Sequence, residues 1–146
     1  MSVERTFVLD GERFDDLEGF YDEVSRELMG GLSPKYERSG GIPIDETYWG
    51  RNLDAFNDIL SGDMGRVPGG SVRFTIVWRN SERSRMKLGP AETARWIRST
   101  RPHAHPSNHP ELDRRLAAAE AGRGTTLFDT LVEIIRDHPH IVLRLD

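Results

Sequence analysis

Cysteine is absent from the 146 residues. That excludes a disulfide scaffold, a thiolate nucleophile and any zinc site built on Cys ligands. Lysine is nearly absent too, with only Lys35 and Lys87 beside 18 arginines. No apolar run approaches the ~20 residues of a membrane-spanning helix. The opening Met1-Ser2-Val3-Glu4-Arg5-Thr6 lacks the long apolar stretch of a secretory signal. What is present is a soluble, highly charged composition, 36% hydrophobic and 30% charged. A chain of this length buries roughly 68–70% of its unfolded surface, enough for one core without staples. The expectation is a single cytoplasmic domain over residues 1–146, with no membrane association.

The net charge of −4 hides a split. Residues 1–64 carry 15 Asp/Glu and 6 Lys/Arg, whereas residues 65–146 carry 9 and 14. The plain explanation is two solvated faces; the sharper one is an acidic surface offered to a cationic partner. A direct nucleic-acid binder would want one coherent basic stripe with stacking aromatics, and the split argues against that.

Thr6-Phe7-Val8-Leu9 reads as a first strand, stopped by Asp10-Gly11. From Phe14, apolar residues at Leu17, Phe20, Tyr21, Val24 and Leu28 keep helical spacing until Gly30-Gly31. Residues 30–47 hold too many Gly and Pro for a regular element. Asn52 to Leu60 forms a short helix, and Val72 to Trp78 a strand covered on both faces. Asn80-Ser81 caps an Arg-rich helix to Leu88, and another helix covers Ala91 to Arg98. Residues 99–110 read as irregular, followed by a peripheral helix, Glu111 to Ala121, with Pro110 at its start. Thr125 or Thr126 caps a helix through Ile135, and Ile141-Val142-Leu143 is a last strand. Strands joined by helical crossovers imply a parallel sheet with right-handed connections. The fold class is α/β: a small three-stranded parallel sheet packed with helices.

The window Tyr48-Trp49-Gly50-Arg51-Asn52-Leu53-Asp54-Ala55-Phe56-Asn57-Asp58 carries the most information. Asp54 and Asp58 stand four apart, so their carboxylates share one helix face, at ~0.2–0.5 kcal/mol of mutual repulsion. With Leu53, Phe56 and Leu60 turned inward, both acids face solvent. The aromatic pair and Gly50 mark a tight turn into the helix. A merely solvated acidic helix fronted by core aromatics is an equally simple account of that spacing.

This window resembles the barstar family, intracellular inhibitors of secreted bacterial ribonucleases, in its run Trp49-Gly50-Arg51-Asn52-Leu53-Asp54-Ala55 followed by Asp58. The order of elements over residues 5–88 and 126–146 is similar as well. The resemblance implies a barstar-like fold with an added helical segment at about 89–125. It also implies a monomer that binds one basic ribonuclease, without a cofactor, and closes its cationic active site with carboxylates in place of RNA phosphates. By position Asp58 is the central phosphate mimic and Asp54 the flanking one. Tyr48 stacks near the catalytic histidine, and Gly50 and Asn52 shape the turn and offer polar contacts. Trp49, Leu53 and Asn57 complete the binding window, and Glu133 on the outer face of the last helix pairs with a peripheral cation. The chain departs from the best-known member at Asn57, where a tryptophan stands, and at Arg51, where that position is acidic. Barnase–barstar is a standard example of close interfacial charge pairs and of a dominant hot-spot Asp.

Three other residue groups have types that suit different chemistry. His103-x-His105-x3-His109 has metal-ligand types, but prolines surround it and no carboxylate or Cys lies inside the run, so no metal site is expected. His138 and His140 flank Pro139 at a helix end, where a protonated His suits the helix dipole. Asp54 with Asp58 lacks a nucleophile, a phosphate loop or a well-spaced third ligand, so no enzyme is expected. A binding module of the same fold, serving a non-ribonuclease toxin or another protein, is the competing expectation.

Overall fold

The computed structural model describes residues 5–30, 50–62, 65–69 and 72–146. The loop expected at 30–47 therefore lies, apart from Gly30, outside the described residues. Along the chain stand β1 (Arg5–Asp10), α1 (Leu17–Leu28), α2 (Leu53–Leu60), β2 (Phe74–Arg79) and α3 (Ser81–Lys87). They are followed by α4 (Pro90–Thr100), α5 (His109–Glu120), α6 (Leu127–Arg136) and β3 (Ile141–Leu145). The three strands form one parallel sheet in the order β1-β2-β3.

Register fixes which residues share a face. Phe7 pairs with Ile76, Leu9 with Trp78, and Phe74 with Ile141, and all six are buried. The alternate face carries Thr6, Val8, Thr75, Val77, Val142 and Arg144, none of them buried. β2 is therefore covered fully on one face and only half on the other, not on both as its hydrophobic run suggests. The strand order explains this. Two right-handed crossovers that advance the same way across a sheet place their helices on the same side.

The core is centred on Trp78. Its ring stacks on Phe20 at 5.3 Å and lies 5.0 Å from Phe128, and its buried Nε1–H donates to Ser84 Oγ at 2.9 Å. A buried Trp needs that polar partner, and Ser84 of α3 provides it. Gly11 is where α3 meets the start of the chain: a Cβ there would lie 2.6 Å from the Asn80 carbonyl.

Element ends show which local signals decided them. α1 starts at Leu17 and not at Phe14, because Asp16 Oδ1 accepts from the Gly19 amide at 2.8 Å and caps it. α6 begins at Thr126 with a full capping box formed with Asp129. Asn80 does not act as a side-chain cap for α3. It occupies the left-handed region at φ 55°, turning the chain directly from β2 into the helix, while its amide donates to Asp10 Oδ1 at 2.9 Å. Residues 99–110 are less irregular than expected: single 3-10 turns at Arg101–His103 and Pro106–Asn108 link α4 to α5. α5 is peripheral as expected, burying only Ala119.

α4 is structurally integral. The amides at a helix start lack intrahelical partners, and α4 supplies them for two other helices. Glu92 Oε2 accepts from the Leu17 amide of α1 at 2.8 Å, and Thr93 Oγ1 accepts from the Leu127 amide of α6 at 2.8 Å. Burial alone would raise the Glu92 pKa. The Arg95 guanidinium and the Leu17 amide outweigh it and hold the carboxyl below its usual range. Among the described residues, no helix is long and apolar enough to cross a membrane.

Candidate protein-binding site

α2 is short and firmly seated. Asn52 Oδ1 accepts from the Ala55 amide at 2.7 Å and fixes its start. Phe56, Ile59 and Leu60 are completely buried, with the Phe56 ring edge-on to Phe20 at 5.3 Å. Since apolar residues take the inward positions, Asp54, Asn57 and Asp58 are left exposed on the outer side. Leu53 is half-buried and packs against the core cluster.

Most carboxylates of the described residues are neutralised by an arginine: Asp15, Glu18, Asp22, Glu23, Glu92, Asp113 and Glu120 are examples. Asp54 and Asp58 make no ion pair or side-chain hydrogen bond among the described residues, and neither does Glu133. Among the described residues, two like charges one turn apart thus have no counter-ion on a firmly seated helix, an arrangement that favours a cationic partner.

The turn into α2 differs from the sequence expectation. The left-handed residue is Arg51, at φ 51°, and Gly50 has no positive φ. A non-glycine in that region costs roughly 1–2 kcal/mol, and the Arg51 side chain supplies an offset. Its Nη2 donates to Asp22 Oδ1 at 2.8 Å, to Glu18 Oε2 at 3.2 Å and to the Glu18 carbonyl at 3.2 Å, and its guanidinium lies 5.9 Å from the Tyr21 ring centre. Arg51 therefore ties the entrance of α2 to the outer face of α1. Nothing in the sequence points to this residue; the acidic i, i+4 pair Glu18/Asp22 is visible, but its partner is chosen by the packing of α2 on α1.

Asn57 is likewise engaged inside the molecule, 2.7 Å from His138 Nε2 at the end of α6. Burial, helped by neighbouring His140, depresses the His138 pKa. His138 is therefore held neutral, not protonated for the sake of the helix dipole, and its Nε2–H can donate to Asn57 Oδ1. Glu133 projects outward from α6 beside a separate shallow groove with Arg85, Asp129 and Arg136. Gly50 is exposed, and a Cβ on it would crowd the Asn52 amide at 3.0 Å. Tyr48 and Trp49 lie outside the described residues. The structure thus brings Gly50, Asn52, Leu53, Asp54, Asn57 and Asp58 together around one short helix, and sets Glu133 on α6, which packs against α2.

Two of the three histidines are occupied locally: His105 Nδ1 meets the Ser107 hydroxyl at 2.8 Å, and His109 Nε2 meets the Arg101 carbonyl at 3.1 Å, while His103 is exposed. Among the described residues no group of three or more His, Cys, Asp or Glu is arranged to hold a metal ion.

Comparison with known proteins gives one family. The family model described as "Barstar (barnase inhibitor)" matches residues 42–100, which span the binding window, α2, β2, α3 and α4. The match thus includes residues 89–100, the first part of the segment expected as an addition. No curated protein and no solved structure matches the chain. The family match supports membership of the barstar family, and the three-stranded parallel sheet with its helices is consistent with a barstar-like fold.

Proposed function

We propose that this protein is a cytoplasmic bacterial inhibitor of a basic ribonuclease, binding one to one and closing the enzyme's active site with α2. One observation carries the reading: Asp54 and Asp58 stand exposed, without an ion-pair partner among the described residues, on a helix whose other side is locked into the core. A ribonuclease site is built to bind phosphate, so it is cationic. Two fixed carboxylates satisfy those cations as phosphates would, yet present no bond to cleave. Preorganisation matters here, because a helix fixed by Phe56, Ile59 and Leu60 loses little entropy on binding. The acidic field of the N-terminal half also speeds encounter with a basic enzyme. The protein then acts as a monomer and catalyses nothing itself. Tyr48, Trp49, Gly50, Asn52 and Leu53 would surround the carboxylates, with Asn57 and Glu133 as outer polar contacts.

The test is inhibition of a panel of small secreted ribonucleases by the wild type and by Asp58→Ala. Removing one member of a buried charge pair costs ~2–5 kcal/mol, so the variant should inhibit at least about 30-fold more weakly. Failure of the wild type against every ribonuclease, or equal inhibition by the variant, sinks the proposal.

A specific observation favours a second reading. Asn57 is tied to His138 at 2.7 Å and offers no aromatic to a partner, so the same helix could serve a different toxin or regulatory protein. Recovery of a basic non-nuclease partner by pull-down from the native organism, with no ribonuclease inhibition, would replace the first reading by this one.

A further inference from the structure

The end of α6 reaches α2 through one side chain. His138, in the turn between α6 and β3, places its Nε2 2.7 Å from Asn57 Oδ1. Asn57 is exposed and adjoins the exposed Asp58, while Glu133 is exposed on α6. His138 therefore sits at the seam between the two helices that carry these acids. We propose that protonation of His138 regulates partner binding: in mildly acidic medium its charge weakens the hold of α2 on a basic partner. The proposal rests on the reading of α2 as a helix that binds a cationic protein, and it adds the regulation of that site.

The hydrogen bond decides which nitrogen takes the proton. Nε2–H donates to Asn57 Oδ1 and is present in both forms of the ring, so uptake falls to Nδ1 and the ring keeps its place. The new charge is thus delivered beside α2 and does not swing away into solvent. Inside the chain, partial burial and His140, whose ring stands edge-on at 5.7 Å, disfavour the charged form, and Asp137 favours it. His140 has little room to relieve that repulsion. Its Nε2 is enclosed without a hydrogen-bond partner among the described residues, and its ring packs edge-on against Phe74 at 5.5 Å. From α2 the contact is the neutral Asn57, with Asp58 the next charged group along the helix. The last charged residue of α6, Arg136, lines the groove with Arg85 and Asp129. A cation that meets Asp58, one residue from Asn57, comes within the ~8–10 Å over which charges act in physiological salt. It lowers the proton affinity of His138, and linkage requires the proton to lower the partner's affinity by the same factor. A depression of ~1 pK unit corresponds to about tenfold in affinity.

The assay needs no identified partner. In the 15N-labelled full chain, the His138 ring nitrogens and the Asn57 and Asp58 amides are followed by NMR between about pH 7.5 and about pH 5.5, where carboxylates stay charged and histidine titrates. Nδ1 should take up the proton while Nε2 keeps its own, and the two amides should shift with the same midpoint. A proton taken up at Nε2, or amides blind to the His138 transition, overturns the proposal. A hexa-arginine peptide, whose charge is constant over this range, then serves as the cationic probe, with binding read at the Asp58 amide. Its affinity should fall about tenfold from the higher to the lower pH in the wild type. It should stay within about twofold in His138→Gln, which keeps an N–H donor for Asn57 and never charges. Equal falls in the two proteins, or no fall in the wild type, overturn the proposal. A chain that inhibits a ribonuclease with the same pH dependence in both proteins loses the switch alone. A chain that shows the difference with hexa-arginine but inhibits no ribonuclease keeps the switch and loses the ribonuclease.

Discussion

Replacing Arg51 separates two opposing contributions at the entrance of α2. The backbone there is left-handed, with φ 51°, and a side chain in that region costs roughly 1–2 kcal/mol. Against it stand ion pairs to Asp22 at 2.8 Å and to Glu18 at 3.2 Å. The Arg51 side chain is 24% exposed and its two partners 45% and 68%, so solvent screens both pairs, and together they are worth about 1 kcal/mol. Arg51→Ala removes the pairs and keeps the strained backbone, and should destabilise the fold by about 1 kcal/mol. Arg51→Gly removes the pairs and the strain together, and should lie close to wild type, roughly 1 kcal/mol above the alanine variant. Urea unfolding followed by tryptophan fluorescence measures the difference. With a slope of ~1–3 kcal/mol/M, the two variants should differ by about 0.5 M in midpoint. The gap between wild type and alanine should also shrink at high salt, because exposed pairs are screened. An alanine variant as stable as wild type would show the ion pairs to be inert. A glycine variant less stable than the alanine variant would show that the left-handed backbone carries no strain. Either result refutes the account of Arg51 as a strained strut.

Two further perturbations probe how the site is held. Glu92→Ala strips the buried acceptor from the Leu17 amide and should destabilise by about 2 kcal/mol, measurable by the same unfolding assay; a shift below about 0.5 kcal/mol would contradict the role of α4 in holding α1. The depressed His138 pKa means that the unfolded chain binds a proton more readily than the folded one. Its contribution is therefore fully present above the ordinary histidine range near pH ~6.5 and is lost as the pH falls through the lower folded value. Stability should drop between about pH 7 and pH 5 and drop less in His138→Gln, which unfolding curves at the two pH values would reveal; an identical drop in both proteins would exclude His138 as the cause.

Much of this was determined by the sequence alone. Periodicity identified α1, α2, α6 and the strands, and the start signals at Asn80-Ser81 and Pro110 identified α3 and α5. The window from Gly50 to Asp58 also announced its exposed carboxylates, since Leu53, Phe56 and Leu60 leave Asp54 and Asp58 only the outward side of α2. Local chemistry was sufficient wherever a feature depends on residues within one turn: the Asn52 cap, the Thr126 capping box, the acidic pair. Tertiary structure decided what depends on residues far apart in the chain. The left-handed turn went to Arg51 and not Gly50 because Glu18 and Asp22 lie within its reach. Asn57 turned to His138, 81 positions away, instead of remaining free. α4 became integral because Glu92 and Thr93 meet the orphan amides of α1 and α6. The physical reason is the same in each case. A periodic pattern encodes which side of an element is buried, whereas a polar side chain's partner is whichever group the packing brings within about 3 Å.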